Sequence, residues 1–67
     1  MRIGIKIQKD ILGMLALYDR PLSTRELAID LKRAWHSIQG NCMRLQLAGK
    51  IRGFRVGNMN LWELKKE

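Results

Sequence analysis

Cysteine occurs once in this 67-residue chain, as Cys42. A single thiol excludes an internal disulfide and leaves no thiolate cluster for a structural metal. Aromatic residues are 6% of the sequence, and Tyr18, Phe54 and Trp62 are too dispersed to compose a stacking platform for single-stranded nucleic acid. No apolar run approaches the ~20 residues that span a bilayer. The opening stretch, MRIGIKIQKD, alternates isoleucine with polar residues and lacks the continuous apolar core of a secretory signal. Repeats, low-complexity tracts and linkers are also missing, so the expectation is one soluble domain of a reducing, cytoplasmic compartment.

The most informative absence concerns charge. The acids are Asp10, Asp19, Glu26, Asp30, Glu63 and Glu67, and none falls between Leu31 and Trp62. That same interval holds Lys32, Arg33, Arg44, Lys50, Arg52 and Arg55, six of the chain's 13 basic residues. It therefore supplies six of the net seven positive charges (six bases minus no acids, within a total of +7). Surfaces that merely keep a protein dissolved intersperse the two signs. Segregated cations and a pI near 10.4 mark a polyanion-binding face, with nucleic acid ahead of an acidic membrane surface. A membrane-surface role is disfavoured by the lack of a lone amphipathic helix with a Lys/Arg-lined polar face.

What is present is enough for a small core. The hydrophobic fraction is 46%, too high for a disordered basic tail, although 67 residues stand near the lower limit for an unassisted domain. Ile3, Ile5 and Ile7 alternate with Arg2, Gly4 and Lys6, a period-two signal for an extended arm or edge strand over residues 1–7. From about Gln8 the period becomes helical: Ile7, Ile11, Leu12, Leu15 and Tyr18 share a stripe, and Pro21 ends it. The stretch LSTREL then predicts a capping box of Ser23 and Glu26, with Leu22 and Leu27 as a hydrophobic staple. Leu27, Ala28 and Leu31 of that second helix face inward, and Lys32-Arg33 lead into a turn.

A third helix is expected over about Ala34 to Ala48, closed by Gly49. At 100° per residue, Cys42, Leu45 and Gly49 lie within about 40° of Ile38 and form with it the core stripe. His36, Gly40, Met43 and Leu47 lie opposite, flanked by Gln39 and Arg44. After it, KIRGFRVGNMNLWEL reads as a two-stranded hairpin turning at Gly57-Asn58. The fold class expected is α+β and mostly helical: arm 1–7, three helices over 8–49 and a hairpin over 50–65.

Enzyme chemistry is not indicated. Cys42 and His36 are six residues apart on one helix, about 120° apart around its axis, which separates nucleophile from base. Cys42 points to the core, and a lone His does not make a zinc site. Neither a metal, a cofactor nor a small-molecule ligand is expected.

The order of elements, with STRELAIDL, then SIQGNCMRLQLAGKI, then a hairpin ending LWEL, resembles the winged helix-turn-helix family of prokaryotic, archaeal and viral transcription regulators. The likeness runs from about Gln8 to Leu64. Its most specific part is the spacing Ile38, Cys42, Leu45, Gly49, Ile51, which looks like the apolar–apolar–apolar–Gly–apolar pattern ending that family's recognition helix. Glu26-Leu27-Ala28 and Leu31 match its preceding helix. The resemblance implies double-stranded DNA as partner, with the third helix in a major groove and the wing on phosphates or a minor groove.

Residue chemistry yields the candidate contacts. Lys50, Arg52 and Arg55 on the wing, with Lys32 and Arg33 at the turn, are phosphate neutralisers. Thr24 and Arg25, with Ser23, begin a helix whose free N–H groups can hold a phosphate, although Ser23 can equally serve only as a cap. For base readout Gln39 matches adenine and Arg44 matches guanine, while His36 can donate to a base edge or a phosphate. Gly40 costs a mid-helix position about 0.5–1 kcal/mol, which close approach of a partner backbone would explain. Met43 and Leu47 are apolar, and Ala34 stands where the family often has a capping Ser or Thr, so the helix front is poor in donors. Trp35, at the edge of the core stripe, is placed against the wing or a partner. Two functions remain open: a DNA-binding regulator, expected to be a homodimer through the Ile3-Ile5-Ile7 arm and first helix, and a protein-interaction winged helix using His36, Met43 and Leu47.

Overall fold

Ile3, Ile7, Ile11 and Leu15 are spaced by four residues, the repeat that keeps side chains on one helical face. In the computed structural model, which describes residues 2–65, that repeat prevails over the alternation of Ile3, Ile5 and Ile7. Helix α1 spans Ile3–Tyr18, so residues 3–7 are its first turns rather than an extended arm. Ile7, Ile11 and Leu15 are buried, whereas Ile3, Ile5 and Tyr18 are exposed. Helical pairing begins with Lys6 N–H donating to Arg2 O and brings Ile7 to the core, which a free strand would not do.

Asp19 ends α1 in the left-handed region (φ 50°) and donates its N–H to Leu15 O. Pro21 then holds the chain extended, and Leu22–Ser23 form a short strand, β1. Helix α2 spans Thr24–Leu31. The capping box forms as its residues predict: Glu26 N–H donates to Ser23 Oγ and Ser23 N–H donates to Glu26 Oε1, both at 3.0 Å. Leu22 and Leu27, the staple pair, are both buried. Lys32, at φ 56°, closes α2.

Helix α3 spans Trp35–Leu47 with Ala34 as an N-cap that has no side-chain oxygen to offer. Ala48 is its C-cap, and Gly49 follows at φ 76°, a left-handed conformation that glycine takes without a Cβ penalty. Strands β2 (Ile51–Val56) and β3 (Met59–Leu64) pair antiparallel from Ile51↔Leu64 to Val56↔Met59. The hairpin gains a third member: β1 pairs antiparallel with β3, Leu22 opposite Trp62, giving the order β1-β3-β2. The sheet is therefore three-stranded, with the short β1 placed by a long-range partner rather than by any local pattern.

Packing follows from these placements. Ile7, Ile11 and Leu15 of α1 meet Leu22, Leu27, the α3 stripe Ile38, Cys42 and Leu45, and Ile51 and Trp62 of the sheet in one core. Inward-facing Trp62 alternates with outward-facing residues along β3, so Ile51, Gly53 and Arg55 share the helix side of the sheet and Arg52, Phe54 and Val56 the other.

Candidate nucleic-acid interface

The side of α3 away from the core is uncovered. Met43 is 51% and Leu47 87% exposed, His36 and Arg44 are exposed, and Gly40 is half-buried. A Cβ at Gly40 would meet only Arg44 Nη1, at 3.6 Å, so no other part of the chain requires glycine there. The outward helix face thus consists of His36, Gly40, Met43, Arg44 and Leu47, with no carboxylate.

Side-chain hydrogen bonds fix the hairpin against this helix. Gln46 Oε1 accepts from Gly53 N–H at 2.8 Å. A second chain runs through the interior: Trp62 Nε1–H donates to Thr24 Oγ1, and the Thr24 hydroxyl donates to Gln39 Oε1, each at 2.8 Å. It joins β3, α2 and α3 through three side chains. On the other flank of α3, Gln8 Nε2 donates to Asn41 Oδ1 at 3.0 Å and Asn41 Nδ2 donates to Ser37 O at 2.8 Å, which ties α3 to α1.

Thr24 therefore departs from its expected role. It is 2% exposed and its hydroxyl is committed to Trp62 and Gln39, so that hydroxyl is an internal tie rather than a phosphate contact. The start of α2 is also already supplied with an anion. Glu26 holds its carboxylate against the Ser23 N–H and Arg20, whose Nη2 lies 3.0 Å from Oε2. The Ser23 backbone bond and then the Arg20 bond keep the Glu26 carboxyl below the ordinary carboxylate range, despite some opposing desolvation. Ser23 works as a cap, and the negative charge that favours a helix N-terminus comes from within the chain.

The remaining cations fall into two groups. Arg25, Lys32, Arg44, Lys50 and Arg55 are exposed and Arg33 is half-buried; none of them makes an ion pair among the described residues. Arg25 lines a cleft with Trp35, Asn58, Met59 and Asn60, where the hairpin tip meets the starts of α2 and α3. Arg55 lines an adjoining cleft with Gln46, Gly53 and Asn60, on the helix side of the sheet. Lys32 and Arg33 occupy the turn into α3, and Lys50 the junction between α3 and β2.

Arg52 stands apart. It faces the far side of the sheet, where its Nε donates to Glu63 Oε2 at 3.0 Å across the strand pair. Its charge is offset by a neighbour and directed away from α3. Arg52 and Arg55 lie on opposite faces because residues an odd number of positions apart on a strand point to opposite sides.

Some contributors were not identifiable from residue type. Gln46, Asn58 and Asn60 enter the clefts only through the hairpin's packing. Arg2 and Arg44 line a further cleft with Gly4, Gln8 and Asn41, beside an α1 N-terminus that has no side-chain cap and no acid in its first turn. Trp35 is 51% exposed, bordering the hairpin tip rather than filling the core. Cys42 is buried in the core, its thiol pushed up to about 12 by desolvation. No group of three metal-ligating side chains occurs among the described residues, and no helix among them is long and apolar enough to cross a membrane.

Known structures place this arrangement. A solved chain of HOP2, a protein with DNA recognition and protein interaction domains and homologous DNA pairing properties, superposes with a TM-score of 0.81 at 19% identity, over 88% of this chain and 98% of that one. ZitR of Lactococcus lactis, solved as a mutant, superposes with a TM-score of 0.78 at 25% identity, over 91% of this chain but 42% of its own. This chain thus spans less than half of ZitR. No protein-family model matches the sequence, and no curated protein is similar to it. Three helices and a three-stranded antiparallel sheet in this order are a winged helix, with α2 and α3 as its helix-turn-helix and β2–β3 as its wing.

Proposed function

We propose that this chain binds double-stranded DNA, as a small transcription regulator acting at the nucleoid in the cytoplasm. In this reading α3 lies in the major groove and the wing follows the backbone. One observation carries it: the solvent face of α3 is uncovered and free of carboxylates, and Arg25, Lys32, Arg33, Arg44 and Arg55, on or beside it, make no ion pair among the described residues. A helix fits the major groove, about 12 Å wide, and a carboxylate on that face would meet phosphates. HOP2 offers DNA recognition as a precedent on the same scaffold, but a shared fold does not transfer function; the support comes from the face itself.

Affinity in this reading comes mainly from counterion release. With four to six phosphates neutralised, log K against log salt should fall with a slope of about −4 to −5. Fluorescence anisotropy with a labelled random duplex from 50 to 300 mM salt measures it, and a flat response would reject DNA binding. Homodimerisation belongs to the proposal, through exposed apolar residues of α1 such as Ile3, Leu17 and Tyr18; sedimentation equilibrium with and without duplex tests it.

A second reading is favoured by the apolar content of the surface. Met43 and Leu47 on α3, and Phe54, Val56 and Met59 on the hairpin, are all exposed, and such residues suit a protein partner. Met43→Ala together with Arg55→Glu separates the two. DNA binding requires the charge reversal to dominate, and a protein interface requires the methionine to dominate.

A further inference from the structure

The hydrogen-bond chain from Trp62 to Gln39 has only one consistent polarity. An indole N–H can only donate, so Thr24 Oγ1 accepts from Trp62. The hydroxyl then has one hydrogen to place, and Gln39 Oε1 is the acceptor bonded to it. Turning the Gln39 amide over would set its NH2 against Thr24 and leave a hydroxyl hydrogen, in a residue only 2% exposed, with no acceptor. A buried donor without an acceptor is costly, so the oxygen faces inward and the nitrogen outward.

The outward nitrogen is available. Gln39 Nε2 has no hydrogen-bond partner among the described residues, Gln39 is half-buried, and no buried side-chain nitrogen or oxygen among those residues lacks a partner. The nitrogen therefore reaches solvent, on the flank of α3 that faces the wing. A free glutamine can match adenine with one acceptor and one donor. This one presents two N–H donors and keeps its oxygen turned away.

Major-groove edges sort themselves against such a group. Guanine offers two adjacent acceptors, N7 and O6, whereas thymine offers the single acceptor O4 beside its methyl, adenine sets an N6 amino donor beside its single N7 acceptor, and cytosine presents a donor. We infer that Gln39, held by Thr24 and Trp62 as a donor-only group, selects guanine rather than adenine at the base pair it faces. The inference rests on the DNA-binding reading and replaces the adenine match expected from residue type alone. Thr24 and Trp62 are positioning residues: they touch no base, yet set which atom of Gln39 does.

The test is selection from a random-duplex pool with the wild-type chain, Gln39→Ala, Thr24→Val and Thr24→Ser, followed by 7-deazaguanine substitution in the selected site. The wild type should select guanine at one position, and 7-deazaguanine there should weaken binding about 5- to 100-fold. Gln39→Ala should lose selection at that position alone. Thr24→Val, which frees the amide to turn, should admit adenine as readily as guanine, and Thr24→Ser, which keeps the hydroxyl, should retain guanine. If Thr24→Val does not fold, the Gln39→Ala and Thr24→Ser arms and the 7-deazaguanine penalty still decide. Adenine at the Gln39-dependent position, no such position, or a folded Thr24→Val with unchanged selection overturns the inference while leaving DNA binding intact. Failure of the wild type to bind any duplex, with no salt dependence, overturns both.

Discussion

Replacing Gly53 by alanine isolates the contact that seats the wing on α3. A Cβ built at Gly53 would lie 2.5 Å from Trp62 Cζ3, 2.8 Å from Cε3 and 2.7 Å from Gln46 Oε1. Distances this short require something to move. Gln46 ends in a flexible, solvent-exposed amide and can turn aside at the loss of one hydrogen bond. Trp62 cannot, because its ring is 4% exposed and its indole N–H is held by Thr24. The local effect of glycine-to-alanine in a strand favours alanine by about 0.5–1 kcal/mol through chain entropy. Gly53 has no positive φ that would oppose it. The overpacking cost, typically about 1–3 kcal/mol, exceeds this gain, so we expect net destabilisation of about 1–2 kcal/mol. For a domain of this size that lowers Tm by roughly 4–16 °C. Thermal unfolding followed by circular dichroism measures it, with urea titration to show that the slope m is unchanged. Adding Gln46→Ala should not rescue the variant, since the rigid clash is with the indole. A neutral or stabilising Gly53→Ala would refute the argument, because only a gap beside Trp62 permits it.

Arg55→Glu should weaken duplex binding at least tenfold at low salt, while Arg52→Glu, whose parent side chain already pairs with Glu63 on the far face of the sheet, should cost less than half as much in log K; equal losses in the anisotropy titration would contradict this assignment of sheet faces. Ser23→Ala removes one arm of the capping box and should destabilise by about 1 kcal/mol, read as a lower urea midpoint. The depressed Glu26 carboxyl contributes stability that is present above the ordinary carboxylate range and is lost as pH falls through its lower folded value; Glu26→Gln should lessen the loss of Tm between pH 5 and pH 3. Cys42, buried with its thiol near 12, should react with a thiol reagent at pH 8 only as fast as the chain opens, so a stopped-flow rate equal to that of a free thiol would place it outside the core.

Much of the fold was legible because it depends on local chemistry. The capping box, the staple, the Ile38–Cys42–Leu45 stripe and the turn at Gly57-Asn58 are short-range patterns, and each forms where its residues place it. The N-terminus was not, because Ile3, Ile5 and Ile7 alternate as a strand would, while only Ile3 and Ile7 also keep the helical spacing of four. The link from Ile7 to Ile11 and Leu15 decides for helix. Strand β1 has two residues, too few for any period, and exists through its pairing with Trp62 and Leu61. In the site, charge distribution carried no direction: Arg52 and Arg55 differ by the parity of a strand. Thr24 looked like an accessible helix start because its partners are 15 and 38 residues further along the chain.

The buried tie from Gln39 through Thr24 to Trp62, more than the exposed amide of Gln46, sets the spacing between the part that would enter a groove and the part that would clasp the strand beside it. Where that spacing is kept, a mismatch in groove width would fall on the duplex, whose compliance in bending and twisting depends on its dinucleotide steps. Discrimination would extend to base pairs that no side chain reaches.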